Sequence, residues 1–110
     1  MLSLTGNPRI FLYKKPMNMR KSFEGLSAMV EKEFSIPLTS GAFFVFLNRR
    51  KDRMKILYWD SDGLAIWAKR LEKGRFSNKA TEKTCMNRRE FFLLLEGVTP
   101  KRLNLRYSAL

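Results

Sequence analysis

The spacing of apolar residues in NMRKSFEGLSAMVEKEF, residues 18–34, is that of one face of a helix. The residues that repeat at this spacing are Met19, Phe23, Leu26, Val30 and Phe34. Asn18 is placed to cap the helix, and Pro37 prevents its continuation much past Ser35. We expect an amphipathic helix whose exposed first turn carries Arg20 and Lys21.

Other segments have the composition of β-strands. RIFLYKK, residues 9–15, predicts a short strand that ends at Pro16. From Ala42 onwards come AFFVFLN, RMKILYW and LAIWAKRL. The last two are separated by Asp60-Ser61-Asp62-Gly63, in which Gly63 can take the positive φ of a tight turn. The simplest arrangement of these three strands is an antiparallel meander.

A connection at residues 60–63 also predicts the pairing register of the hairpin. The facing pairs are Trp59 with Leu64, Leu57 with Ile66, Lys55 with Ala68, Arg53 with Arg70, Tyr58 with Ala65, Ile56 with Trp67, and Met54 with Lys69. Near the turn both faces are apolar. We therefore expect Tyr58, Trp59 and Trp67 to pack in the core, with stacking on single-stranded bases as the alternative.

The last third of the chain contains a second predicted helix. SNKATEKTC, residues 77–85, is polar and is expected to be irregular. In the following NRREFFLLLEG, Asn87 and Glu90 have the spacing of a capping box, and Gly97 marks the helix end. The expected core face is Phe91, Leu94 and Leu95. Residues 98–110 are either an edge strand or a loose basic tail.

These elements predict a single α+β domain over residues 1–110. Its expected architecture is an antiparallel β-meander of three to four strands packed with two amphipathic helices. With 45% hydrophobic residues, the chain has enough apolar surface to fold around a core.

Charge points to the class of partner. The chain has 22 Lys and Arg against 10 Asp and Glu, a formal net charge of +12. Such an excess destabilises the compact state by self-repulsion, which a polyanion relieves. Nucleic acid, an anionic membrane and an acidic protein are all polyanions, and nucleic acid is the commonest of them.

The predicted hairpin gathers basic residues from separate segments at the end away from its turn. The candidate nucleic-acid contacts there are Arg49, Arg50, Lys51, Arg53, Lys55, Lys69, Arg70, Lys73 and Arg75, with Arg20 and Lys21 as secondary contacts. Asp52 and Glu72 offset only part of this charge. The alternative is a solvated rim that keeps a small protein in solution.

The residues needed for catalysis are poorly represented. The chain has no histidine and one cysteine, Cys85, which we interpret as a free thiol in a reducing compartment. Asp60 and Asp62 fit a turn, since the spacing around Gly63 does not match a calcium loop. Glu24 is isolated. We expect no enzyme activity, no metal, no cofactor and no small-molecule substrate.

Hydropathy predicts a cytoplasmic protein with no membrane partner. The first residues, MLSLTGNPRIFLYKKP, contain no apolar stretch long enough for a signal peptide, and no later stretch has transmembrane length.

Three runs in this order resemble a known family: NMRKSFEGL at 18–26, FVFLNRRKDRMKILYWDSDGLAIWAKRLEKGRF at 44–76, and FFLLLEG at 91–97. They are similar to the TnpB-class, second-reading-frame protein of insertion-sequence family sixty-six, a class distinct from the RNA-guided nuclease that shares the label. The likeness covers Arg9 to Gly97 and is weak over residues 77–87. Where this chain has Asn18 the family usually has an acidic residue, and where it has Lys51 the family more often has Gly.

The resemblance implies a non-catalytic accessory protein of bacterial transposition, encoded beside a separate transposase that carries the catalytic carboxylates. DNA binding through the basic patch is the function we expect. The alternatives are an adaptor that docks on an acidic surface of the transposase, and an RNA-binding or autoregulatory protein, because phosphate contacts do not distinguish the sugar.

Overall fold

Two α-helices, one short 3-10 helix and five strands are the regular elements of the described part of the chain. The computed structural model describes residues 8–76 and 84–96. The elements, in chain order, are β1 (Ile10–Leu12), α1 (Phe23–Glu33), a 3-10 helix (Leu38–Ser40), β2 (Phe43–Leu47), β3 (Arg53–Asp60), β4 (Gly63–Arg70), β5 (Cys85–Met86) and α2 (Arg88–Glu96).

The sheet has five strands in the order β4-β3-β2-β1-β5. The predicted meander of β2, β3 and β4 is confirmed, because each pairs antiparallel with the next. The expectation of a purely antiparallel sheet is wrong, since β1 pairs parallel with β2. Helix α1 lies between these two strands in the chain, and such a crossover returns the second strand in the direction of the first. The fold is therefore α+β with a mixed sheet.

β2 is the centre of the core. All five of its residues are buried, and alternate side chains belong to two separate apolar clusters. Phe44 and Phe46 pack in the cluster that contains Leu26 and Val30 of α1. Phe43 and its alternate neighbours pack in the cluster that contains the buried residues of α2. Successive side chains of a strand point to opposite faces, so the two helices cover opposite faces of the sheet.

The predicted register of the β3–β4 hairpin is confirmed at every pair, from Trp59 opposite Leu64 to Arg53 opposite Arg70. The turn is tighter than expected, because Asp60 and Gly63 also pair and only Ser61 and Asp62 connect the strands. Ser61, and not Gly63, has the positive φ, at 59°. Tyr58 and Trp67 pack against the α2-side cluster, as expected for core aromatics, whereas the half-buried Trp59 belongs to neither cluster.

Helix α1 begins later than predicted. Asn18 does not cap it: the Asn18 Oδ1 accepts a hydrogen bond from the Arg20 backbone N–H at 2.9 Å, in a turn that precedes the helix. The Lys21 N–H donates to the Asn18 carbonyl at 3.0 Å in the same turn. Arg20 and Lys21 therefore lie before the helix, because the side chain of Asn18 stabilises a local turn in preference to a helical one.

Helix α2 has the predicted capping box. The Asn87 N–H donates to Glu90 Oε1 at 2.9 Å, and the Glu90 N–H donates to Asn87 Oδ1 at 2.8 Å. Phe91 and Leu94 are buried, and Leu95 packs against them. The end at Gly97 and the predicted edge strand or tail at 98–110 lie outside the described residues.

The segment at 77–85 is not irregular throughout, since Cys85 belongs to the two-residue strand β5. This strand pairs antiparallel with β1, with Ile10 opposite Met86 and Phe11 opposite Cys85. The Leu12 N–H also donates to the Thr84 carbonyl at 2.6 Å. Residues 77–83 lie outside the described range.

Replacing Phe44 tests the central position of β2. Phe44 is fully buried, with ring centroids 5.9 Å from Phe11 and 5.4 Å from Phe34. We expect Phe44→Ala to lower the free energy of unfolding by about 3 to 5 kcal/mol, measured by urea denaturation. Phe23→Ala is the matched control, because Phe23 is 45% exposed. It should cost roughly 1 kcal/mol or less, and equal losses for the two variants would contradict the assignment of the core.

Candidate nucleic-acid interface

The topology brings several chain connections to one end of the sheet. β1 and β2 run parallel and end there, β3 starts there, and β4 returns there. The turn before α1 follows β1 at this end. The connections therefore carry Lys14, Lys15, Arg20, Lys21, Arg49, Arg50 and Lys51 to the same region as the strand residues Arg53 and Arg70.

A cleft of about 610 Å³ opens between the turn at Asn18 and the loop at Asn48–Asp52. Five arginines line it: Arg20, Arg49, Arg50, Arg53 and Arg70. We call this set the arginine cleft. Asp52 is the one carboxylate among its described lining residues, and none of those residues is aromatic. Five of the sequence-predicted contacts thus meet in one concave site.

In the part of the chain that the structure describes, the five guanidinium groups have no hydrogen-bonded or close ion-pair partner. All five residues are exposed, and within residues 8–76 and 84–96 none of these groups makes a hydrogen bond or a close ion pair. Arg53 lies directly opposite Arg70 across the hairpin, so two like charges face each other. Like charges in this position destabilise a strand pair unless an anion or a carboxylate intervenes.

Asn48 organises the loop that carries Arg49 and Arg50. Its Oδ1 accepts hydrogen bonds from the backbone N–H groups of Asp52 and Arg53, both at 3.0 Å. Its amide Nδ2 donates to Asp52 Oδ1 at 2.7 Å. Three hydrogen bonds from one side chain fix the loop, and this fixed loop positions the neighbouring arginines.

Asp52 stays ionised in this environment. The hydrogen bond from the Asn48 amide is the main cause that lowers the pKa of Asp52, and the charges of Arg50 and Arg53 lower it further. A lowered carboxyl pKa in the folded state favours folding above the unfolded-state pKa, and this contribution is lost as the pH falls through the folded-state value. The contact with Asn48 is therefore present at neutral pH and weakens only in acid.

Hydrogen bonds from the same loop hold the segment that follows β4. The Leu71 N–H donates to the Asp52 carbonyl at 2.8 Å, and the Phe76 N–H donates to the Lys51 carbonyl at 2.6 Å. Lys73 and Arg75 lie on this segment and are exposed. They flank the site, as Lys51 does, and are not among the residues that line the cleft.

Lys55 was expected to contact phosphates, but its ammonium group binds backbone carbonyls of the same chain. Its Nζ donates to the carbonyls of Met19 at 2.7 Å and Lys21 at 2.8 Å. These bonds hold the turn that contains Arg20 against β3. Lys55 is thus a positioning residue, because its ammonium group orients the turn and is already occupied.

Lys69 does not join the same face. In β4, Ile66 belongs to the α1-side cluster and Trp67 to the α2-side cluster, so Lys69 lies with Trp67 on the α2 side. Its Nζ donates to the Leu95 carbonyl near the end of α2 at 3.3 Å. Lys69 nevertheless lines a hollow of about 310 Å³ with Arg53, Lys55 and Arg70, although successive residues of a strand alternate between faces.

Two basic residues of this region were missed from the sequence. Lys14 and Lys15 are exposed and line a small hollow of about 40 Å³ together with Arg49 and Lys51. The sequence feature that marks them is a Lys-Lys pair one residue beyond the end of β1. Placing them required the parallel pairing of β1 with β2, where the Tyr13 N–H donates to the Val45 carbonyl at 2.9 Å.

Comparison with known proteins identifies the family. A sequence profile described as "IS66 Orf2 like protein" matches residues 8–104. The chain belongs to this family. The resemblance seen in the sequence is thus confirmed, and IS66 Orf2-like membership connects the chain with the transposition of an insertion sequence.

Two proteins with similar sequences come from Sinorhizobium fredii (strain NBRC 101917 / NGR234). The chain is 33% identical to "Uncharacterized protein y4jC" over 92 residues, covering 82% of this chain and 79% of that protein. It is 30% identical to "Uncharacterized protein y4hO" over 76 residues, covering 69% of this chain and 66% of that protein. No solved structure matches the chain significantly.

The described residues hold no group of three His, Cys, Asp or Glu side chains placed to bind a metal ion. Asp60 and Asp62 lie at the turn between β3 and β4, at the end of the sheet away from the arginine cleft. In the same described ranges, neither helix has the length and apolar character that a membrane crossing requires.

Removing the Asn48 side chain tests the architecture of this IS66 Orf2-like site. We expect Asn48→Ala to lower the free energy of unfolding by about 1 kcal/mol for each backbone hydrogen bond lost. The pKa of Asp52 should rise, because its main stabilising partner is gone; carboxyl chemical shifts in an NMR pH titration measure this. Asn18→Ala is the control, since it opens a neighbouring turn without touching Asp52. An unchanged Asp52 pKa in Asn48→Ala would contradict the assignment.

Replacing Lys55 separates positioning from charge. Lys55→Met keeps the apolar stem and removes the ammonium group that holds the carbonyls of Met19 and Lys21. We expect the backbone amide signals of residues 19–21 to shift and broaden in NMR spectra, because the turn loses its anchor. Lys32→Met is the control, since Lys32 is exposed near the end of α1. Unchanged signals at residues 19–21 in Lys55→Met would show that Lys55 does not position the turn.

Proposed function

We propose that this IS66 Orf2-like protein is a non-catalytic accessory factor of transposition that binds duplex DNA through the arginine cleft. The observation that carries the proposal is the convergence of five arginines that have no hydrogen-bonded or ion-pair partner among the described residues, around a cleft whose described lining holds one carboxylate. A polyanion that enters the cleft supplies the countercharge that the described residues lack.

The type of cation supports a phosphate ligand. Every basic residue that lines the cleft is an arginine. A guanidinium group presents several N–H donors in a planar fork that matches two phosphate oxygens, whereas an ammonium group acts as a point charge. The lysines around the cleft, Lys14, Lys15, Lys21, Lys51 and Lys73, together with Arg75, extend the positive surface along a bound backbone.

The lining also favours a duplex over a single strand. Proteins that bind single strands stack bases on aromatic side chains, and the described lining of the cleft contains none. Tyr58 and Trp67 pack against the apolar cluster on the other side of the sheet. The cleft is thus suited to contacts with the sugar-phosphate backbone, which position a protein on DNA without reading its sequence.

Family membership gives these contacts a setting. An insertion sequence is a DNA element, and the resemblance implies a separate transposase that performs the chemistry. We place the protein with that transposase on the element's DNA in the cytoplasm of a bacterium. The accessory factor contributes binding, and the bond breakage belongs to the transposase.

The salt dependence of DNA binding tests the proposal. Each phosphate neutralised by a cation releases counterions, so the logarithm of the affinity falls with the logarithm of salt by about 0.9 per contact. We expect Arg49→Ala/Arg50→Ala to reduce that slope by roughly 1.8. Fluorescence anisotropy with a labelled duplex from the element's terminal repeats, and with a scrambled duplex, measures the slope for each variant.

The control removes the same number of charges elsewhere. Lys32 and Arg89 are exposed, and both lie outside the cleft. Lys32→Ala/Arg89→Ala should leave the slope nearly unchanged, because these residues are on the helices and away from the strand connections. If both double variants lower the slope equally, the protein binds by net charge alone, and the arginine cleft is not the interface.

Competition assays test the alternatives of RNA and an acidic protein surface. At one salt concentration, unlabelled duplex DNA, single-stranded DNA, RNA and purified transposase compete with the labelled duplex. We expect duplex DNA to compete best. Stronger competition by RNA would favour the RNA-binding or autoregulatory alternative, and stronger competition by the transposase than by duplex DNA would favour the adaptor.

A further inference from the structure

The outer edge of β4 is an unpaired strand with few protective features. β4 lies at the end of the strand order, and among the described residues no strand pairs with its outer side. It is eight residues long, GLAIWAKR, and contains no proline. Its first six residues carry no charge. Natural proteins usually protect such edges with central charges, prolines or bulges, because an open edge accepts another strand.

We propose that β4 pairs antiparallel with β4 of a second copy of this chain, forming a two-fold symmetric dimer with a continuous ten-stranded sheet. An axis perpendicular to the sheet reverses the strand direction and keeps each face aligned with the same face of the partner. The proposal concerns self-association and is tested without DNA, although one of its residues, Arg70, also lines the arginine cleft.

Charge complementarity selects the second copy and the register. When Ile66 of one copy faces Ile66 of the other, residues 63–69 pair along their whole length, and Arg70 of each copy faces Asp62 of the other. Both residues are exposed. The dimer thus gives Arg70 a carboxylate, which it lacks among the described residues of its own chain. If the two-fold axis passed at Trp67 instead of Ile66, Arg70 would face Leu64 and both ion pairs would be lost.

The apolar positions also fit this register. Trp67 of one copy faces Ala65 of the other, so that a large side chain lies beside a small one, and Leu64 faces Ala68. The side chains from Leu64 to Trp67 are half-buried in one copy and would be further covered by the partner. Backbone hydrogen bonds along the edge would supply affinity, and the Asp62–Arg70 pairs would supply the register.

The same two residues cannot attract each other within one chain. Asp62 directly precedes β4, and Arg70 is the last residue of β4. At the rise of a strand the two residues are roughly 26 Å apart. This separation is well beyond the screening length of about 8 Å at physiological ionic strength. Any coupling between substitutions at these two positions therefore reports contact between two copies.

A charge-swap experiment tests the dimer. Sedimentation equilibrium across the micromolar range should show the wild-type chain passing from monomer to dimer as concentration rises. Asp62→Arg and Arg70→Asp should each shift this equilibrium towards monomer, because each places like charges in contact. An equimolar mixture of the two variants should recover the dimer, since both contacts in the mixed pair are attractive. Recovery also shows that both variants are folded.

Amide hydrogen exchange of the wild-type chain provides a second readout that requires no variant. Outward-facing β4 amides should become more protected as concentration rises. A monomer at every concentration, or a mixture that fails to recover the dimer, would overturn the proposal. So would β4 protection in the monomer that does not depend on concentration, because it would mean that another part of the same chain covers the edge.

Discussion

The burial of β2 on both faces is the constraint on which the rest of the structure depends. Its five residues are fully enclosed, with one apolar cluster on the α1 side and another on the α2 side. Because β2 is central, β1 and β3 both pair with it, one parallel and one antiparallel. This pairing brings the end of β1, the start of β3 and the return of β4 to one end of the sheet. The convergence of basic residues is a consequence of how the core is covered.

The arginine cleft combines fixed geometry with an excess of positive charge among its described lining residues. Asn48 holds one wall through three hydrogen bonds, and Lys55 holds the opposite turn through two carbonyls. Asp52, whose pKa is lowered by Asn48 and by neighbouring arginines, is the carboxylate of the lining. Positive charge that is held in place before a ligand arrives needs little reorganisation on binding, which favours association with a polyanion.

Local features of the fold were accessible from the sequence, because short-range rules decide them. The register of β3 and β4 follows from the Asp60–Gly63 turn, and the α2 capping box follows from the spacing of Asn87 and Glu90. The parallel direction of β1 could not be predicted from the sequence, since a run such as RIFLYKK indicates a strand but not the strand with which it pairs. β5 was missed because two residues, Cys85 and Met86, are too few to show a period.

In the arginine cleft, too, local sequence rules predict some positions, and contacts between distant parts of the chain decide the others. Arg49, Arg50, Arg53 and Arg70 were placed together from hairpin geometry alone, and Arg20 joins them through the turn at Asn18. The places of Lys55 and Lys69 depend on carbonyl oxygens of Met19, Lys21 and Leu95, which come from distant parts of the chain. No local pattern reveals such contacts. The distribution of charge along the sequence therefore indicated which end of the sheet is basic. The contacts of each basic side chain could be read only from the tertiary structure.

An NMR titration of the arginine side chains measures occupancy of the cleft most directly. The Nε–Hε signals of the full-length protein would be followed as a short DNA duplex is added. We expect the signals of the five cleft arginines, Arg20, Arg49, Arg50, Arg53 and Arg70, to shift together with one affinity, and the signals of Arg9 and Arg89 to stay in place. Equal shifts at all arginines, or shifts confined to those outside the cleft, would contradict it.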